Sequence, residues 1–197
     1  MILLVAGLIV FIGMHSIRIF SDASRTRFIE KYSDNAWKGM YSIVSLIGLI
    51  LIVYGYQQTR LEPTFIWHPP AAMSHIASLL MLFSFILLVA TYVPGNAIKA
   101  RLGHPMLIGI KIWAVAHLLA NGRLGDMLLF GVFLAWAVID FIVCRRRDRA
   151  QVSQSATTAE TSSNKIRTVL AVIIGIGAYL VFAIWLHIRW IGVSPLG

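Results

Sequence analysis

Residues Ala71–Val93, AAMSHIASLLMLFSFILLVATYV, contain no Asp, Glu, Lys or Arg. A helix rising ~1.5 Å per residue needs roughly 20 apolar residues to cross a ~30 Å hydrocarbon core, and this stretch has that length unaided. In lipid each backbone N–H and C=O must be satisfied within its own segment, so a transmembrane helix is expected. Five further apolar blocks follow the same pattern: Met1–Phe20, Tyr41–Tyr54, Pro105–Ala120, Met127–Cys144 and Thr168–Ile191. The shorter two, Tyr41–Tyr54 and Pro105–Ala120, must borrow polar-edged flanks such as Gln57 and Gly103. Hydrophobic residues are 58 % of the chain, charged residues 13 %, and mean hydropathy is +0.80. A soluble domain of this length would need a polar coat that these residues cannot supply. The fold class expected is all-α: a polytopic membrane protein in the lipid bilayer with six transmembrane helices.

The positive charges orient it. Met1–Phe20 lacks a basic start, its first cation being Arg18, and is expected as a retained helix rather than a cleaved signal. The alternate connections holding Arg18–Lys38, Lys99–Arg101 and Arg145–Arg167 carry 13 of the 17 Lys and Arg, against 3 in the opposite set. Positive-inside bias puts the 13 in the cytoplasm and both termini outside, at the periplasmic side of an inner membrane. The net charge of +9 and pI near 10.2 follow from this asymmetry. Short loops offer no folded basic surface with stacking aromatics, which argues against a nucleic-acid partner.

Three segments are expected along the chain: a five-helix core over 1–145, a flexible basic and polar cytoplasmic linker over 146–165, and a sixth helix with a short external tail over 166–197. Arg145-Arg146-Arg147-Asp148-Arg149 fits an anionic-lipid anchor, and Ala150–Asn164 is rich in Ser, Thr, Ala and Gln without apolar periodicity. In the sixth helix, Gly175, Gly177 and Ala178 would allow close approach of a neighbour. No internal repeat or matched pair of broken helices is present, which argues against a transporter. The single cysteine, Cys144, excludes an internal disulfide and any thiolate cluster, and no Cys-x-x-Cys-His is present for covalent haem.

Chemistry is to be sought among polar residues at membrane depth, which are costly there and are functional candidates by default. They are His15, Arg18, His75, Lys111, His117 and Asp140, with Asn121 at a helix end. Neutral imidazole can ligate a transition metal within lipid at modest desolvation cost, although an interhelical hydrogen bond is the ordinary use of each such histidine. His68 and His187 stand beside tryptophans near the outer face and read as interfacial residues. His104, before Pro105, is suited to cap a helix at the cytoplasmic surface. Lys111 lies close enough to that surface to snorkel, and Asp140 is placed to pair with Lys111 or Arg18. His15 and His75 are both possible partners for His117 by depth, differing from it by ~9 and ~6 Å, which does not choose between them.

Gly13-Met14-His15-Ser16-Ile17-Arg18 resembles the opening motif of the NnrU family of membrane proteins. Leu102-Gly103-His104-Pro105-Met106-Leu107-Ile108-Gly109, followed by Trp113-Ala114-Val115-Ala116-His117-Leu118-Leu119-Ala120-Asn121-Gly122, is similar to that family's most specific signature, and Trp67 with Pro69-Pro70 also fits. The resemblance covers residues 1–145. Bacterial members are linked with nitrite and nitric-oxide metabolism (denitrification); plant and cyanobacterial relatives are 15-cis-ζ-carotene isomerases holding a non-covalent haem b. The resemblance therefore implies haem b with His15 and His117 as axial ligands and His104 as a further family histidine. Arg18, Lys111 or Arg101 would receive the propionates, and Asn121 or a backbone carbonyl would accept the second ring N–H of His117. The function it implies is redox-linked or isomerase chemistry on a lipophilic polyene, served by a redox partner. The alternative is a non-enzymatic accessory or sensor protein in nitric-oxide metabolism.

Overall fold

A computed structural model describes residues 1–154 and 164–195, and every regular element among them is helical. The helices are α1 (Ile2–Phe20), α2 (Asp22–Lys31), α3 (Asp34–Leu61), α4 (Ala72–Tyr92), α5 (Ala97–Leu102), α6 (Pro105–Ala120), α7 (Leu124–Gln154) and α8 (Lys165–Ile191). Five of them, α1, α3, α4, α7 and α8, are long and apolar enough to cross a membrane. The sixteen residues of α6 are apolar but shorter, rising ~24 Å against a ~30 Å core.

Two boundaries differ from the expectation. The second span outgrows Tyr41–Tyr54 at both ends, because Ser33 caps it: the Ser33 hydroxyl accepts from Ala36 N at 3.1 Å, and Asp34 pairs with Lys38 at 2.6 Å in the first turn. These polar contacts extend a helix that apolarity alone does not announce. Likewise α7 continues through Arg145–Arg149 to Gln154, so the first part of the expected linker is helical. Residues 155–163 of that linker lie outside the described residues.

Two compact units divide the chain: residues 1–67 with 123–136, and residues 68–122 with 137–197. In the first, α1 and α3 pack at backbone contact. A Cβ on Gly55 would overlap the backbone of Leu4, which is fully buried, and one on Gly48 would lie 2.8 Å from Phe11 N. Without a hydrophobic drive between helices in lipid, such small-residue contacts let dispersion do the packing. The start of α7 is pinned within this unit. Leu124 N donates to Thr64 O at 2.8 Å, and the Tyr56 hydroxyl donates to Asp126 Oδ1 at 2.5 Å. Asp126 is 1 % exposed, and its other oxygen accepts from Arg123 N at 3.3 Å and Arg123 Nε at 3.4 Å.

In the second unit α4 lies between α6 and α8. The buried Ser84 hydroxyl donates to Gly109 O on α6 at 2.9 Å, and a Cβ on Gly175 of α8 would come within 2.6 Å of Ile86 Cα on α4. Gly175 is thus one of the close approaches expected of α8, whereas Gly177 faces open space. Asn96 is fully buried and caps α5 through Lys99 N at 2.8 Å. The beginning of α8 is fixed to the same turn by Ala97 N donating to Thr168 Oγ1 at 2.8 Å and by Asn164 N donating to Gly95 O at 2.9 Å. On α7, Asp148 meets His104 and Phe141 meets Lys111. As contacts climb α6 they descend α7, which makes the two helices antiparallel over this stretch.

Candidate functional site

In the first unit His15 sits one helical turn after Phe11. Its Nδ1–H donates to Phe11 O at 2.7 Å. A carbonyl can only accept, so the proton is on Nδ1 and the lone pair is on Nε2. The ring stacks on Phe11 at 4.1 Å, with Tyr41 of α3 at 5.2 Å and Trp136 of α7 edge-on at 5.9 Å. Trp136 Nε1–H is buried without a hydrogen-bond partner, which is costly unless a group outside the protein satisfies it. Arg18, one turn further along α1, is exposed.

In the second unit His117 is held in the same manner. Its Nδ1–H donates to Trp113 O at 2.8 Å, again leaving the lone pair on Nε2, and the Trp113 ring lies 5.3 Å away. Of the two acceptors considered for this N–H, the backbone carbonyl is the one used. Asn121 acts differently. Its side-chain amide donates to His117 O at 2.9 Å while its backbone N–H reaches the same oxygen at 3.0 Å, closing the end of α6.

His117 also lines a cavity of about 130 Å³. A single water needs ~10–15 Å³ on this measure, so the space takes a molecule of several atoms. Its walls come from the beginning of α4, the end of α6 and the end of α8, with Ser78, Phe85, His117, Asn121, Tyr179 and His187 among them. Ser78 and Tyr179 share a hydroxyl–hydroxyl bond at 2.7 Å. His187, read from the sequence as merely interfacial, belongs to this site. It follows a π-helical turn, Phe182–Leu186, a local form frequent at functional sites. Gly192, at φ +77, then turns the tail back so that Val193 O accepts from His187 Nδ1 at 2.7 Å. The left-handed glycine after the last helical residue was the legible signal for that turn.

The remaining candidates lie elsewhere. His75 is exposed on α4 and does not line the cavity. His104 stands at the N-cap of α6 but makes no side-chain cap; its Nε2 is 2.9 Å from Asp148 Oδ2 instead. The carboxylate attracts the ring because a charge-assisted bond outweighs a backbone cap. Lys111 lies over the face of Phe141 at 3.7 Å from the centroid, a cation–π contact between α6 and α7. Asp140 accepts from Cys144 Sγ at 3.6 Å. Among the described residues no group of three or more His, Cys, Asp or Glu is placed to hold a metal ion, so imidazoles used singly or in pairs are the donor set to consider.

A family model described as NnrU protein matches residues 3–195. The chain belongs to the NnrU family. No curated protein and no solved structure gives a match. The NnrU match reaches past the helix-six signature residues into α8 and the tail, so the cavity's far wall is part of the family region and not an appendage to it.

Proposed function

We propose that this NnrU-family protein binds haem b non-covalently, with His15 and His117 as the imidazole donors, and serves redox-linked chemistry on a lipophilic polyene such as a cis–trans isomerisation. The observation that carries the proposal is the shared tautomer. Each ring commits Nδ1–H to the carbonyl one turn earlier, at 2.7 and 2.8 Å, and carries its lone pair on Nε2. That second-sphere hydrogen bond fixes ring orientation and raises ligand basicity in metal-binding histidines. The unpartnered Trp136 N–H near His15 suits a polar group of a bound cofactor. When bound, the haem would supply a reversible one-electron centre, tuned by its axial ligands and surroundings.

The protein's own side chains have definable tasks. Phe11, Tyr41 and Trp136 surround the His15 ring and fix its orientation. Asn121 holds the carbonyl of His117 and thereby the last turn from which that imidazole projects. Arg18 and Lys111 are the cations available for propionates, Lys111 from the face of Phe141.

Six spans with both termini on the periplasmic side of a bacterial inner membrane complete the proposal. It is supported by the 13-to-3 charge asymmetry and by the antiparallel run of α6 beside α7, the arrangement that a return of α6 across the bilayer would give. Reporter fusions after Gly122 and after Asn164 should give external and cytoplasmic signals; reversal of both would contradict the orientation, and equal signals would contradict the helix count between them. Oxidised and reduced absorption spectra of the purified protein test the haem itself. A sharp reduced band typical of paired imidazoles is expected, and no chromophore even after haem supplementation would overturn it.

A further inference from the structure

We propose that the cavity of the second unit binds a lipophilic molecule bearing a hydroxyl group, an alcohol or phenol, with His187 accepting the ligand's O–H and the Ser78–Tyr179 pair donating to its oxygen. This goes beyond the haem proposal and does not depend on it, because the acceptor is His187 and not His117.

The hydrogen-bond inventory defines the ligand. His187 Nδ1–H is spent on Val193 O at 2.7 Å, so Nε2 is an acceptor and cannot donate in this tautomer. The two hydroxyls of Ser78 and Tyr179 own two hydrogens, and their mutual 2.7 Å bond uses one. One hydrogen therefore remains to donate to a third oxygen. A ligand hydroxyl both donates and accepts at one oxygen, as this arrangement asks. A ketone or ether would leave Nε2 without a donor, and an ammonium group, which has no lone pair, would leave the spare hydroxyl hydrogen to find its acceptor elsewhere.

The rest of the wall selects a lipophilic body. Met81, Phe85 and Phe182 line the same cavity, with Phe182 edge-on to the His187 ring at 5.8 Å and Phe85 at 5.5 Å from Phe182. Apolar walls with a few convergent polar groups are the usual make-up of a small-molecule site. The π-turn is what allows it. One extra residue per turn over Phe182–Leu186 shifts the phase of α8, so that Tyr179 and His187 both line the cavity although eight residues apart.

The test uses the full chain in lipid nanodiscs and two probes that differ by O-methylation, 4-pentylphenol and 4-pentylanisole, titrated by calorimetry against empty nanodiscs. Saturable phenol binding is expected, with the ether about tenfold weaker, the scale of one lost hydrogen bond. His187→Ala should abolish the preference, because only the phenol donates to Nε2, whereas Tyr179→Phe, which keeps its ring beside Phe85, should weaken both probes about equally and leave the preference in place. His15→Ala, in the other unit, should retain the preference while losing any haem spectrum, which separates failure of this proposal from failure of the haem proposal. Equal binding of phenol and ether, no saturable binding of either, a preference that survives His187→Ala, or one that Tyr179→Phe abolishes would overturn it.

Discussion

His15 and His117 are anchored alike at the ring nitrogen, yet their surroundings differ. His15 is boxed by Phe11, Tyr41 and Trp136, in a unit whose helices meet at glycine. His117 stands at the wall of a cavity with hydroxyls and a second imidazole. The first unit spends its sequence on contact, with Gly48 and Gly55 removing the space between helices. The second places glycine at Gly109 and Gly175, lower on the same helices, and leaves room at the other end, where α4 begins and α6 and α8 finish. Small residues thus bring α1 against α3 and α4 against its neighbours. The space left in the first unit, about 240 Å³ between α1 and α7, is lined by aliphatic residues such as Leu8, Ile12 and Val132, whereas the second unit's cavity carries hydroxyls and imidazoles.

The largest effect expected of any substitution follows from that contrast. Gly55→Leu must displace the backbone of Leu4, a cost beyond the ~1–3 kcal/mol of ordinary overpacking. Size-exclusion chromatography in detergent should recover no monodisperse protein, whereas Gly177→Leu, where a side chain meets open space, should elute as wild type. Equal recovery of the two would break the account of the first unit.

Asp126→Ala should come next. It strands the Tyr56 hydroxyl and the Arg123 guanidinium in a buried setting and should cost about 2–3 kcal/mol. Tyr56→Phe removes one partner only and should cost about 1 kcal/mol. Thermal unfolding in detergent would show the order, and a larger effect from Tyr56→Phe would contradict it. Ser84→Ala in the second unit is the mildest, at about 0.6–1 kcal/mol, since it deletes a single interhelical hydrogen bond to Gly109 O.

Much of the helical layout was legible because lipid leaves a long apolar block few alternatives. Ala71–Val93 and Met1–Phe20 became α4 and α1 with no boundary moved by more than one residue. What apolarity could not show was helix sustained by polar contacts: α2, which buries none of its residues, the capped beginning of α3, and the extension of α7 to Gln154. The division into two units was also illegible, since it depends on which glycines face a neighbour. At the site, the motif around His15 and His117 was visible through the family resemblance, and the i−4 carbonyl bonds of both rings follow from their positions in helices. That His187 lines the second unit's cavity was not legible, because a π-turn changes the face on which a residue emerges, and nothing in Phe182–Leu186 announces one.

If haem b binds as proposed, His15 and His117 are its imidazole donors, and a histidine panel read by absorption tests this most directly. His15→Ala and His117→Ala should each remove or strongly alter the reduced spectrum. His68→Ala, His75→Ala and His187→Ala should preserve it. If His75→Ala abolishes the spectrum while His15→Ala leaves it unchanged, the ligand pair is wrong.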